Sequence, residues 1–324
     1  MRAVVVTELG GPEVLELRKE PAPEAGPGQL VVDVGVGGVN YRDVYERTGV
    51  YPTKPPVIAG VEGAGTVAAV GEDVTEFSPG GRVAWKNAQG SYAEQVVVPA
   101  GEAVPIPEGI SDELACAALL QGLTAHYLAH STFPVQPGDE VLVHAGAGGV
   151  GSLLTQIVKM LGGRVTATTS GGEKVELARA AGADDVIGYD EVPEGTFAVV
   201  YDGVGKDTFD RSLAALRPRG MMALYGAASG PVPSVELSQL NAKSLFLTRP
   251  TLAHYASDRA ELLRRAHDIF GWIVDGKLDV RIGGRYPLEE ARQAQEDLAA
   301  RRTTGKLLLT IDEKGERSTR PNSN

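Results

Sequence analysis

The 324-residue chain carries a formal net charge of −11, which excludes a broad basic face for nucleic acid and obliges any phosphate-bearing ligand to find a locally basic pocket. Its apolar and charged fractions, 43% and 23%, are those of an ordinary folded protein, and its length suits about two domains. One cysteine, Cys116, excludes an internal disulfide; the opening MRAVVVTELG is too short in its apolar part for a signal peptide, and no apolar run reaches the roughly 18 residues of a membrane span, so a soluble cytoplasmic protein is expected.

Short β-branched or alternating runs occupy Ala3–Thr7, Gln29–Val36, Gly65–Val70, Arg82–Trp85 and Tyr92–Val98, with glycine and proline turn signals between them. Such punctuation predicts a twisted β-rich barrel or sandwich. One helix is expected near Asn40, carrying RDVYER over 42–47. From about Ile110 the period changes: Ser111-Asp112-Glu113 caps an apolar helix that holds Cys116 as a small core residue, and a second helix is expected over Gly122–Ala129.

Strands and helices then alternate: strand 140–145, helix 149–161, strand 164–168, helix 173–181, strand 185–188, strand 197–202, helix 206–216, and strands 219–225 and 244–248. This alternation predicts a parallel doubly wound sheet with right-handed crossovers. The stretch Glu140–Lys159 is the most informative part of the chain. A β-branched run leads through the glycine-rich HAGAGGVG into an amphipathic helix, with the spacing Ala145-x-x-Gly148-x-x-Gly151. In that context the glycines let backbone approach a pyrophosphate, and the helix turns its N-terminal amides toward the anion. Alanine stands where the pattern usually begins with glycine.

Two amphipathic segments, Asp258–Asp275 and Leu288–Arg302, precede an apolar strand at Lys306–Ile311, which is expected to pair with the β-rich N-terminal region. The expected division is therefore a β-rich domain of residues 1–122 with 262–311, a nucleotide-binding domain of residues 123–261, and a disordered polar tail over 312–324.

Several motifs in combination carry a family resemblance: GVNYRDVYERTGVYP (38–52), LQGLTAHYL (120–128), HAGAGGVG (144–151), YDGVG (201–205), LYGAASG (224–230) and LTRP (247–250). Over residues 1–311 the chain resembles the zinc-independent, NADPH-using quinone oxidoreductases of the medium-chain dehydrogenase/reductase superfamily. The resemblance implies an α/β fold, a chaperonin-10-like barrel domain plus a Rossmann domain, with the catalytic site between them. It implies that Asn40, Tyr45 and Tyr51 line the acceptor site, an amide donating to a carbonyl and two phenols donating or stacking. The blander alternatives are that Asn40 only caps the following helix and that the tyrosines only pack. No catalytic residue is singled out, and the quinol can take its protons from solvent.

Zinc-dependent members of the superfamily have a cysteine where this chain has Asn40, and Gly-His-Glu where it has Gly60-Val61-Glu62. Valine cannot ligate a metal and asparagine is a poor zinc ligand. His126, His130 and His144 read as helix and strand residues, so no metal is expected. A conjugated carbonyl, above all a quinone, is the acceptor that needs no Lewis acid.

Cofactor preference turns on the residues beyond the second nucleotide-domain strand. Ser170 is a small hydroxyl that leaves room for a phosphate, Lys174 lies a turn on, and Tyr189 comes after the next strand. The family holds the 2′-phosphate of NADPH with a lysine, a tyrosine and a C-terminal arginine; the matching arginine is Arg301, with Arg302 as the competing assignment. Glu173 lies near the acid position of NAD-preferring folds, but also opens a helix whose dipole favours a carboxylate. Further cofactor contacts are expected from Thr124, Ala145, Gly148, Gly149, Val150, Gly151, Gly203, Gly226 and Ala227. Relatives join as homodimers along the edge strand 244–248. Two other functions fit the same residues: an NADPH-dependent reductase of α,β-unsaturated ketones or alkenals, and an NADPH-binding protein without significant turnover.

Overall fold

The computed structural model describes residues 1–311. Two compact units emerge, the first built from Met1–Ile106, Arg285–Glu296 and the segment from Leu307, the second from Pro107–Gly284 and Asp297–Lys306. In chain order the first unit supplies β1 (Arg2–Val6), β2 (Leu15–Lys19), β3 (Gln29–Val39), α1 (Tyr41–Arg47), β4 (Val57–Ile58), β5 (Glu62–Val70), β6 (Arg82–Trp85), β7 (Gln95–Pro99) and β8 (Ala103–Pro105). There follow α2 (Asp112–Tyr127), β9 (Glu140–Val143), α3 (Gly149–Met160), β10 (Arg164–Thr169), α4 (Glu173–Ala180), β11 (Asp185–Gly188), β12 (Phe197–Asp202) and α5 (Phe209–Ala215). The chain continues through β13 (Leu216–Leu224), α6 (Ser238–Asn241), β14 (Phe246–Thr248), α7 (Leu252–Tyr255), α8 (Arg259–Val274), β15 (Ile282–Pro287), α9 (Ala291–Ala299) and β16 (Lys306–Thr310).

The first unit is antiparallel. A three-stranded sheet runs β2-β1-β4, and a larger one runs β15-β16-β3-β5-β6-β8 with β7 also paired to β3. The valines of β3 are all buried, with Asp33 and Gly35 at its exposed positions, and two register shifts, at Val31/Val32 and Val34/Val36, bend it enough to serve three partners. As expected, the last strand returns here: Leu307 faces Val39 in the β16–β3 register. A second tie runs below the sheet, where the buried guanidinium of Arg47 donates from Nε to Gln295 Oε1 of α9 at 2.8 Å and from a terminal nitrogen to the Gly10 carbonyl at 2.6 Å.

The second unit is a six-stranded parallel sheet in the order β11-β10-β9-β12-β13-β14. Numbered within the unit, this is 3-2-1-4-5-6, the doubly wound order of dinucleotide-binding domains, with its reversal between β9 and β12.

The unit boundaries differ from the sequence expectation. Residues 107–122, 262–284 and 297–306 fall with the second unit, the first two stretches because α2 and α8 pack on one another. Nor are there two helices over 111–129. A single α2, capped by Ser111 Oγ accepting from Leu114 N at 3.2 Å, runs through Gly122, where Ile269 of α8 fills the space beside the glycine. Strands β2 and β15 add to those expected from sequence, and the expected helix over 288–302 shortens to α9 after a 3-10 turn at Leu288–Glu290. The tail expected over 312–324 lies outside the described residues.

Candidate functional site

The sheet reversal sets the stage in the second unit. The loop after β9 and the loop after β12 leave neighbouring strands at the same edge, the place where open parallel sheets bind ligands. After β9, Ala145 takes a left-handed φ of +54°, a conformation that costs a non-glycine residue roughly 1–2 kcal/mol. Gly148 then caps α3 with extended backbone. At Gly151 a Cβ would lie 2.3 Å from the Ala145 carbonyl oxygen, so the turn closes only over glycine there. The first amides of α3, which include those of Gly149, Val150 and Gly151, thus open an anion cradle at a helix N-terminus.

Residues beyond α9 come back onto this loop. Gly305 N donates to the Ala147 carbonyl at 3.2 Å, and Gly148 and Gly305 form an isolated parallel bridge. That docking places Arg301 beside α4, where Lys174 Nζ donates to the Arg301 carbonyl at 2.8 Å. Arg301 itself makes only a long ion pair, 3.9 Å to Asp207, whereas Arg302 turns back to Asp297 with two N–H groups on one carboxylate oxygen. Of the two, Arg301 is the arginine whose head remains lightly engaged next to Lys174. Burial raises the pKa of the Tyr189 phenol, opposed first by a hydrogen bond with Thr168 and then by the charge of Arg301. Lys174, Tyr189 and Arg301 are therefore brought together, and Ser170 stands exposed at the end of β10. Glu173 pairs with Arg281 at 3.3 Å in the first turn of α4, the dipole-stabilised position for an acid.

Behind the loop runs a buried chain of side chains that the sequence did not announce. His144 Nδ1 lies 2.8 Å from Thr168 Oγ1, and Nε2 lies 2.9 Å from Ser212 Oγ. Ser212 and Thr208 both donate to Asp202 Oδ2, at 2.8 and 2.7 Å, while Val204 N and Gly205 N donate to Oδ1. Ser212 gives its proton to the carboxylate, so His144 Nε2 donates to Ser212 and Nδ1 accepts from Thr168: a neutral imidazole with one tautomer. Burial keeps it neutral by depressing its pKa, and the ring stacks on Tyr189. Asp202 thereby fixes the loop that carries Gly203, which the turn after β13 approaches so closely that a Cβ on Gly226 would sit 2.6 Å from the Gly203 carbonyl. Ala227 is buried in the same turn. On α2, Thr124 returns its hydroxyl to the Leu120 carbonyl at 2.8 Å.

In the first unit the acceptor candidates cluster around α1. Asn40 caps that helix in a full capping box with Asp43, and its Nδ2 donates to Glu62 Oε2 at 2.8 Å and to the Gly38 carbonyl at 3.3 Å. Its amide is thus committed within the protein, as the capping alternative supposed. Tyr92 donates to Asp43 Oδ2 at 2.7 Å, and burial beside that carboxylate raises the phenol's pKa well above the ordinary range. Tyr45 and Tyr51 lie with ring centroids 5.2 Å apart at 60°, and Tyr41, not singled out from sequence, extends the group at 6.1 Å from Tyr45. Tyr51 is 37% exposed, enough to meet a ligand.

Among the described residues no group of three His, Cys, Asp or Glu side chains is arranged to hold a metal ion, and no helix is long and apolar enough to cross a membrane. His126 instead accepts from Arg265 at Nδ1 and meets Asp268 at Nε2, with Trp272 stacked and His130 tilted against it.

Two families match the chain: one described as "Alcohol dehydrogenase GroES-like domain" over residues 26–108, the other as "Zinc-binding dehydrogenase" over residues 149–268. A quinone oxidoreductase of Pseudomonas aeruginosa is 43% identical over 313 residues, covering 93% of this chain and 96% of the relative. A 2-haloacrylate reductase of a Burkholderia species is 38% identical, covering 95% and 98%. Among solved structures, a mycobacterial protein complexed with NADPH is 46% identical and superposes with a TM-score of 0.93 over 96% of this chain and all of its own, 100%.

Proposed function

The chain belongs to the quinone oxidoreductases of the medium-chain dehydrogenase/reductase superfamily, and from that membership we propose that it reduces quinones by hydride transfer from NADPH. The observation that carries the cofactor choice is the convergence of Lys174, Tyr189 and Arg301 at the end of the parallel sheet. Two cations and a phenol suit the 2′-phosphate, which NADH lacks, and Ser170 leaves space for it. The α3 amides hold the pyrophosphate, the closely packed turns at Gly203, Gly226 and Ala227 flank the cofactor, and Thr124 stands toward its nicotinamide.

When bound, the nicotinamide supplies the hydride. The protein's own work is to position and orient. Tyr45 and Tyr51 offer aromatic faces and hydroxyls to a flat acceptor, and Asn40 holds α1, from which Tyr45 projects, by capping it and bonding Glu62. Although one matching family is described as zinc-binding, the donor set does not suit zinc: Asn40 and Glu62 satisfy one another, and Val61 stands between Gly60 and Glu62. We accordingly read the reaction as metal-free, with protons reaching the quinol from solvent.

A second reading is favoured by the 38% identity to 2-haloacrylate reductase, an enzyme named for a conjugated alkene. NADPH oxidation by chelator-treated protein, measured with benzoquinone, phenanthrenequinone and a medium-chain enone, separates the two. Quinone-dependent oxidation that survives chelation is the expected result. Turnover of the enone alone transfers the assignment to alkene reduction, and tight NADPH binding without turnover leaves a binding protein. We also propose that the protein is cytoplasmic and a homodimer through β14, readings supported by a sequence with a single cysteine, the buried Cys116, and by the exposed Phe246 on the terminal strand of the sheet.

A further inference from the structure

Gly149 has no positive φ, so backbone conformation does not explain a glycine at this position. A neighbouring side chain does. The space a Cβ would fill is taken by the carboxamide of Gln121, with Oε1 2.1 Å and both Cδ and Nε2 2.4 Å from the ideal Cβ position. At Gly148 the same construction meets only Ala145, at 3.1 Å and beyond. Gln121 reaches this spot from α2, where it lies three residues before Thr124 and shares its helix face. The carboxamide is half-buried and makes no hydrogen bond to another described residue. A polar group lying flat on the first residue of α3, beside amides that are themselves open, has donors to spare where an anion is expected.

We propose that Gln121 is a cofactor-binding residue, its Nε2 donating to the pyrophosphate, and that Gly149 is glycine in order to admit it. This rests on the NADPH reading above and extends it with a side-chain donor supplied by a helix outside the glycine-rich loop. The pyrophosphate is common to both nicotinamide coenzymes, so Gln121 contributes to affinity for either. Lys174 contributes only where a 2′-phosphate is present.

The test measures dissociation constants by calorimetry for NADPH, NADH and adenosine 2′,5′-bisphosphate, which carries the 2′-phosphate and only the adenosine-side phosphate of the pyrophosphate. Gln121→Leu, of similar volume at a half-exposed site, is expected to weaken NADPH and NADH alike by about tenfold. Gly149→Ala displaces the carboxamide from the opposite side and is expected to give the same loss, with the double variant no worse than either. Lys174→Ala is expected to weaken NADPH and the bisphosphate and to spare NADH. Coenzyme affinities within about twofold of the parent in Gln121→Leu, or losses that multiply in the double variant, overturn the proposal while leaving the NADPH reading intact. A bisphosphate that ignores Lys174→Ala, with the Gln121 effect present, overturns the 2′-phosphate assignment and leaves Gln121 in place. Parent protein that binds neither coenzyme overturns both.

Discussion

Lys174 Nζ and the carbonyl oxygen of Arg301 are 2.8 Å apart, so a helix of the parallel-sheet unit and a segment 127 residues further on present their cationic side chains together. Neither head is locked into a strong ion pair, since Lys174 is bonded to a neutral carbonyl and Arg301 sits 3.9 Å from Asp207. A phosphate dianion meets charge that is available without first breaking a tight salt bridge.

Removal of either cation is expected to weaken NADPH by about tenfold or more, the worth of a charge-assisted hydrogen bond, and to leave NADH affinity unchanged. Titration of Lys174→Ala and Arg301→Ala with both coenzymes checks this. Equal losses for the two coenzymes would place these residues elsewhere on the cofactor, and a loss in Arg302→Ala instead would reassign the arginine.

Acid is expected to destabilise the second unit. Burial is the main cause that lowers His126 to about 4, helped by His130 and Arg265 and opposed by Asp268; His130 and His144 are lowered too, chiefly by burial. An unfolded imidazole takes its proton near pH 6.5, which the folded His126 refuses until about 4. Stability from this group is therefore complete above 6.5 and falls as the pH drops from there toward 4, by on the order of 2–3 kcal/mol. Urea unfolding followed at several pH values, in the parent and in His126→Gln, should show the variant's curve flatter across that window; parallel curves would assign the acid sensitivity to other groups.

Two neighbouring glycines should differ in their tolerance of a methyl group. At Gly151 the Cβ would be 2.3 Å from a backbone oxygen, at Gly148 it would be 3.1 Å from the same oxygen. Gly151→Ala is expected to abolish detectable coenzyme binding and lower the melting temperature, whereas Gly148→Ala needs only a small shift of the loop and retains binding. Equal effects would mean that the loop adapts freely and that its glycines serve flexibility rather than fit.

Phe246 is 57% exposed on the terminal strand of the six-stranded sheet. Light scattering on the eluting parent protein is expected to give a dimer, and Phe246→Lys a monomer that still binds coenzyme. A parent monomer, or a dimer indifferent to the lysine, removes β14 as the joining edge.

Much of this architecture is legible in the residues. The alternation of strand and helix between Glu140 and Leu224 announces the parallel sheet because each element shows its own period, and the glycine pattern lies where strand passes to helix. The features that escape detection are decided by tertiary partners. Gly122 looks like a break between helices, yet α2 runs through it because Ile269 packs there. α8 reads as a generic amphipathic helix, and its packing on α2, with Ile269 beside Gly122 and Arg265 bonded to His126, assigns it to the second unit. Strand β2 does alternate over Leu15-Glu16-Leu17-Arg18, yet it buries just its first residue, so the pattern there is short and is not matched by burial. The site obeys the same division. Lys174 and Tyr189 stand at recognisable distances from the glycine loop, whereas Asp202, Ser212 and Thr168 are ordinary strand and helix residues until the fold gathers them around His144.

The pairing of β16 with β3 has a consequence for how the chain is made. During synthesis Val39 emerges long before Leu307, so the larger β-sheet of the first unit waits for its neighbour while the whole parallel-sheet unit between them is produced. The enclosed unit has nearly all its strand partners within one continuous stretch and can complete itself first, bringing the distant ends of the enclosing one toward each other. Until then the edge of β3 stands open to chaperones or to misplaced strands. The β-rich unit, though first in the sequence, is the last to have all its strands available.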